Sequence, residues 1–491
     1  MRVLLINPPP YQRVDRYDTP DFTRLGLACL AAKLRADRLA EVEIVDGKFE
    51  RLSYAAIDER VRRFRPDLVG LTAFTNEIKP AAQVAALVKA LSPSIYTVIG
   101  GVHATVLPER TLNEFPAFDC VVMGEGELTF AELVTALDQG TPLQAVAGLC
   151  FRERASGRAG GTTDSADDRQ RSTGLTEEIV RTPERNRLVA LDQLPLPAWD
   201  LLPPSTRYLF MTQRGCAYHC NFCANPNGRL VRTRGVDSVI AELQEIIGRG
   251  GEELYMCDEL FTANRDRTHQ LLDAMIAADI GRKLRWSAQT HVNLVDRELF
   301  EKMKAAGCFI CGLGIETGDP DIMRRMKKGS NRERVLKARQ AARDAGMPIE
   351  GLMIIGHPYE TWETAMRTID FTAELDPERP IVGVMVPYPG TEVSRMAERG
   401  EGGYRLLSSD WNDYNKQIGD ALAFENLSRR QLEILQMLAY VKVFLKNRRY
   451  REFARFIWDY RSEGWAVLRK ILFGRKPPPE PVGDLIASSE A

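Results

Sequence analysis

The sequence predicts an α/β chain built as two successive parallel-sheet units with a helical end, and three observations carry that prediction. Short apolar strand patterns alternate with helical patterns up to about residue 150, and do so again from Tyr208 to about residue 390. Between them, Arg152–Arg187 is polar, contains GRAGGTTDSADDRQRSTG and has hardly any apolar periodicity. After about residue 400 the pattern turns helical.

The first unit, residues 1–150, reads as strands at Arg2–Asn7, Val42–Asp46, Leu68–Ala73, Tyr96–Gly100 and Cys120–Met123. Helical patterns at Leu25–Leu34, Tyr54–Phe64 and Ala81–Leu91 separate the first four. Such spacing implies right-handed crossovers and a parallel, Rossmann-like sheet, with ligand beyond the carboxyl ends of the strands. Residues 151–194 form a hairpin and flexible linker. A second alternation follows over residues 195–400, with strands at YLFMT, Glu253–Cys257, Arg285–Thr290, Phe309–Glu316, Gly351–Gly356 and Ile381–Tyr388. Six βα units suit a partial (β/α)6 TIM-type barrel with its chemistry at the C-terminal mouth. In the helical C-terminal region, 401–491, Ser428 and Gln431 form a capping box ahead of Leu432, Leu435, Leu438, Val441 and Leu445, and the proline-rich tail reads as disordered.

A length of 491 residues implies about three domains. With 66 Lys and Arg against 67 Asp and Glu, the chain has no global basic field, so a nucleic-acid partner is not expected. No apolar run approaches the roughly 18 residues of a membrane span, and no signal peptide opens the chain, so the expected location is cytoplasmic. Locally, residues 442–476 hold eleven Lys or Arg and three Asp or Glu among aromatic residues. The main reading there is a packed helix with a solvated basic face; peripheral contact with an anionic membrane is the alternative.

Of the nine cysteines, only Cys216, Cys220 and Cys223 are closely grouped, on the loop that follows YLFMT. Three thiolates can hold three irons of a cubane and leave the fourth open to a small molecule. A zinc site would need a fourth ligand, and His219 is awkwardly adjacent to Cys220.

The spacing C-x3-C-x2-C, with Phe222 before the last cysteine, resembles the signature of the radical S-adenosylmethionine (SAM) superfamily. The resemblance implies a [4Fe-4S] cluster whose open iron binds SAM, one-electron cleavage to a 5′-deoxyadenosyl radical, and an electron donor such as flavodoxin or ferredoxin. Other segments resemble the branch with an N-terminal cobalamin (B12)-binding domain. For SAM, that likeness implies roles for Asp258 or Glu259 toward the ammonium, for Glu316 in GLGIETG near the methionine and ribose groups, and for Gly351 and Gly356 near adenine. Pro387–Thr391 (PYPGT) is similar to the loop that ends the sixth strand. In the first unit, Gly100-Gly101-Val102-His103-Ala104-Thr105 and Gly124-Glu125-Gly126-Glu127 are similar to the branch's cobalamin-domain motifs. No D-x-H-x-x-G supplies a cobalt-ligating imidazole, so bound cobalamin is expected base-off, and His103 is not expected to ligate cobalt. Cys308 and Cys311 are expected to be small buried apolar groups.

The leading expectation is a cobalamin-dependent methyltransferase acting on an unactivated carbon of a small-molecule substrate. Cyclisation, dehydration or oxidation within the same branch, a tRNA methylthiotransferase, and a cobalamin or SAM sensor are the alternatives.

Overall fold

A computed structural model describes residues 1–10, 22–154, 177–415, 421–459 and 461. The first unit is a seven-stranded sheet in the order β2-β1-β3-β4-β5-β6-β7. Its strands are β1 (Arg2–Asn7), β2 (Glu41–Asp46), β3 (Leu68–Thr72), β4 (Tyr96–Gly100), β5 (Cys120–Val122), β6 (Leu149–Arg154) and β7 (Glu177–Arg181). The first five are parallel, and β1, β3, β4 and β5 are largely apolar runs, as a sheet covered on both faces requires, whereas the edge strand β2 carries Glu41, Glu43 and Asp46. The hairpin expected after residue 150 is present as β6 and β7, which extend the sheet antiparallel to Arg181. The centre of the polar stretch lies outside the described residues.

Strand order reverses where β1 pairs with β2 on one side and β3 on the other. The resulting crevice, at the carboxyl ends of β1 and β3, is where an open α/β sheet takes its ligand.

The second unit is a six-stranded, all-parallel sheet, open between its first and last strands. The strands are β8 (Arg207–Phe210), β9 (Glu253–Met256), β10 (Arg285–His291), β11 (Cys308–Glu316), β12 (Ile349–Ile355) and β13 (Arg379–Val384). Strand β13 stops four residues short of the sequence expectation, ahead of Pro387 and Pro389, which have no N–H to give a ladder. The open edge is managed by the helix Arg429–Lys446: Tyr440 Oη accepts from Val382 N at 3.3 Å, and Gln436 donates to Val382 O at 2.7 Å. The Ser428–Gln431 capping box forms as expected. That helix buries Leu432, Leu435, Ala439, Val443 and Phe444, so the expected stripe is corrected at Leu438 and Leu445, which stay exposed. The apolar core continues from the first unit into the barrel, joining Phe130 and Leu149 to Phe210 and Trp286. Cys308 and Cys311 are buried in this core, as their sequence context suggested. Among the described residues no helix is long and apolar enough to cross a membrane, and the chain beyond Arg461 lies outside them.

Candidate functional site

The cysteine loop leaves the end of β8 and is held from below by the next strand. Asp258, just past β9, accepts from Thr212 N at 2.7 Å, Thr212 Oγ1 at 2.6 Å and Gln213 N at 3.2 Å. It is 3 % exposed, and burial pushes its carboxyl up to about 6 against the pull of those donors. Glu259 accepts from Gly215 N at 3.1 Å and from Asn227 Nδ2 at 2.5 Å. The acidic pair offered by the sequence to SAM's ammonium is therefore engaged in shaping the loop: one carboxylate at its start, the other at both of its ends.

Further contacts brace the loop. Asn221 N donates to Met326 O at 3.1 Å, and Asn221 O accepts from Val393 N at 3.1 Å. Tyr218 stacks on His291 at 4.0 Å with 9° between the rings. His291 accepts from Asn293 N through Nδ1, so Nε2 carries the hydrogen that reaches Lys328 O at 3.0 Å. Gly215, at φ +99°, leaves no room for a side chain: a Cβ there would strike Leu230 backbone. Cys216 and Cys220 are partly exposed and Cys223 is exposed.

Three thiols on one pinned loop fit a cubane, because each thiolate serves a different iron. They are not gathered around one point, and among the described residues no three His, Cys, Asp or Glu side chains are.

Glu316 ends β11 at φ +71°, where the register with β12 shifts. A non-glycine residue held there is strained by about 1–3 kcal/mol, a cost typical of functional sites. Its carboxylate is buried and paired with the buried ammonium of Lys328. The pair lies over Gly314, where a Cβ would collide with both groups. Lys328 escaped the sequence reading, because a Met-Lys-Lys-Gly run looks like solvated surface charge.

At the end of β12 a Cβ on Gly356 would lie 2.7 Å from the Phe424 ring, and one on Gly351 would lie 2.9 Å from Pro377. Packing thus accounts for both glycines. Between them and the loop stands His357, 1 % exposed, with Phe222 edge-on at 6.1 Å. Neither of its ring nitrogens reaches hydrogen-bond geometry with a described residue, although Glu316 backbone lies near. Burial holds its pKa down to about 4.

The first unit meets this mouth with its strand ends. Gly101, at φ +92°, lies against β3: a Cβ would sit 2.6 Å from Ala73 O. Gly100 has ordinary space around it, and Gly124, at φ +74°, has nothing within 4 Å and donates to Thr105 Oγ1 at 3.0 Å. Open, side-chain-free backbone at strand ends suits a bulky ligand. His103 is 1 % exposed, edge-on to Trp411 at 4.8 Å, and its nitrogens have no partner among the described residues. Gly126 packs on Leu30. Glu125 does not face the crevice alone: it pairs with Arg232 at 2.9 Å and Arg214 at 3.2 Å, while Glu127 pairs with Arg214 at 2.5 Å. The Gly-Glu-Gly-Glu turn is thus also a latch onto the strand that feeds the cysteine loop. The PYPGT loop is a second seam, packed so closely that a Cβ on Gly390 would lie 2.7 Å from the Val106 side chain.

Comparison with known proteins agrees with this arrangement. The radical SAM superfamily model matches residues 210–372, and the B12 binding domain model matches residues 18–134. The chain is 32 % identical to an uncharacterised methyltransferase of Pyrococcus horikoshii, over 91 % of this chain and 93 % of that one. It is 27 % identical to the anaerobic magnesium-protoporphyrin IX monomethyl ester cyclase of Rubrivivax gelatinosus, over 84 % of this chain and 72 % of that one. Among solved structures, the radical SAM methyltransferase TsrM of Kitasatospora setae, with cobalamin and [4Fe-4S] cluster bound, superposes with a TM-score of 0.68 at 18 % identity, covering 91 % of this chain and 89 % of TsrM. Fold, cysteine loop and near full-length likeness converge: the chain belongs to the radical SAM superfamily, in the branch of enzymes that carries an N-terminal B12-binding domain.

Proposed function

We propose that this radical SAM enzyme transfers a methyl group to an unactivated carbon of a small-molecule substrate, with cobalamin as methyl carrier. The observation that supports this most is the facing of two mouths: the cysteine loop at the end of β8 and the strand ends of a B12-binding sheet, joined by Arg214. When bound, the cluster with SAM supplies hydrogen abstraction and cobalamin supplies the methyl group. Cys216, Cys220 and Cys223 hold the cluster. Glu316 and Lys328 offer an anion and a cation side by side, which complements SAM's ammonium and carboxylate. Phe222 and His357 border the space beside them, and Gly100, Gly101 and Gly124 border the corrin. Asp258 and Glu259 position the loop. The electron comes from a protein donor such as flavodoxin or ferredoxin, the enzyme works in the cytoplasm, and the basic C-terminal helix is a candidate for peripheral membrane contact.

The test is anaerobic reconstitution with iron, sulfide, cobalamin and methyl-deuterated SAM, followed by a search of cell extract for a compound that gains the labelled methyl. Replacing any of the three cysteines with Ala is expected to abolish cluster absorbance and 5′-deoxyadenosine formation. A triple variant that retains both sinks the assignment. The likeness to a cyclase supports a second reading, radical cyclisation without methyl transfer. Formation of 5′-deoxyadenosine with an altered substrate that carries no label selects it.

A further inference from the structure

The first unit contains one histidine, His103, and it is sealed beneath Trp411. Something other than imidazole therefore stands at the crevice between β1 and β3. Where the chain leaves β3, Ala73 is 2 % and Thr75 6 % exposed, yet the phenyl ring between them, Phe74, is 49 % exposed. This ring is not loose. Phe74 N donates to Glu77 Oε2 at 2.9 Å, and the Arg24 guanidinium lies 4.7 Å over the ring.

Arg24 is itself fixed from three sides: by Glu77 at 2.6 Å, by Asn7 Oδ1 at 3.2 Å, and through its backbone N by Asp46 at 2.8 Å. Lys48 completes the network on Glu77 at 2.9 Å. Asn7 ends β1, Asp46 ends β2 and Glu77 follows β3, so three strand ends converge on one aromatic platform. A buried charge network is weak evidence for stability and is better read as fixing a geometry. The geometry fixed here is an apolar face turned outward at the switch point, beside the glycine turn that packs on Ala73.

We propose that Phe74 is the apolar floor on which the lower face of a corrin bound in this crevice would rest. A flat macrocycle laid across strand ends turns one face to them, and the apolar ring matches that face. A phenyl group has no lone pair to give the metal. Arg24, stacked on the ring, holds it in place by cation–π attraction. The proposal rests on cobalamin occupying the crevice, which loading of the wild-type protein tests first.

The protein is loaded with hydroxocobalamin, reduced to the Co(II) form and examined by electron paramagnetic resonance. Wild type is expected to show cobalt hyperfine lines without nitrogen splitting. Phe74→His is expected to split those lines into nitrogen triplets, by placing an imidazole where the ring lay. Phe74→Ala, which opens the floor to water, is expected to change the spectrum toward an oxygen-ligated form. If the His variant takes up no cobalamin, the Ala variant decides. Nitrogen splitting in wild type, or loaded variants with spectra identical to wild type, overturns the proposal. Failure of wild type to bind cobalamin overturns the cofactor assignment itself, a different result seen before any spectrum is recorded.

Discussion

Glu316 and Lys328 show what a single position reveals in sequence and what it hides. Glu316 was legible because a carboxylate at the end of an apolar strand needs a polar partner. Its partner was not, since the two stand twelve positions apart with a helix, Pro320–Arg325, between them, and only the fold buries Lys328. An ammonium has three donors, and among the described residues this one meets a single side-chain acceptor, Glu316. If its remaining donors take SAM's carboxylate, Lys328→Met should weaken SAM binding to the cluster-loaded enzyme by roughly ten- to hundred-fold, the equivalent of about 1.5–3 kcal/mol for a hydrogen bond to a charged group. Lys328→Arg should recover part of that loss. Isothermal titration with SAM, alongside cluster absorbance to show an intact centre, measures both. Unchanged affinity in the Met variant would make the ion pair a structural brace.

At the scale of elements, nearly every strand of both units was legible, and so were the first unit's helices Leu25–Ala36, Tyr54–Phe64 and Ile78–Leu91, because apolar runs and 3.6-residue periodicity report burial directly; the helix Gly126–Gln139 was not read. What sequence could not give was the direction in which loop side chains turn. Asp258 and Glu259 look like a free acidic pair, yet they face the loop backbone of Thr212–Gly215. Gly351 and Gly356 look like ligand glycines, yet ring packing accounts for them. Glu360 had no signal at all, being one acid before a helix. It accepts from Gly356 N and from His357 N at 3.1 Å, and burial pushes its carboxyl up to about 8. The folded state thus retains a proton that the unfolded chain, with a carboxyl near its ordinary value of 4.5, releases. Stability should therefore fall as pH rises between about 4.5 and 8, by up to about 1.4 kcal/mol per pH unit from this group, and level off above. Urea unfolding across that window measures the slope. Glu360→Gln should flatten it, and an unaltered slope would place the proton elsewhere.

On the scale of the whole molecule, the two units were each legible but their joining was not, because no sequence pattern encodes a contact between residues about ninety positions apart. The joint is chemically specific. Arg214, the residue before Gly215 and Cys216, reaches back to Glu125 and Glu127, and Arg232 on the antiparallel partner strand of Arg214 also takes Glu125. All four side chains are nearly buried, with 14 % or less exposed. Burial alone would favour a neutral Glu127, but Arg214 outweighs it and holds the carboxyl below its usual value. Removing one member of such a network leaves an uncompensated buried charge and costs about 3–5 kcal/mol. Arg214→Met should therefore lower the unfolding midpoint and loosen both sides of the joint together. Hydrogen exchange should quicken around Gly124–Glu127 and around Thr212–Cys216. The control is an exposed pair such as Arg63 and Glu43, whose loss should change stability by less than about 1 kcal/mol and leave both segments protected. A double change of Arg214 to Met and Glu127 to Gln should be less damaging than the single Arg214 change, because Glu125 and Arg232 still pair and no charge is left alone. If exchange quickens on one side only, Arg214 braces its own loop, and the two mouths are held in register by the Gly390–Val106 seam instead.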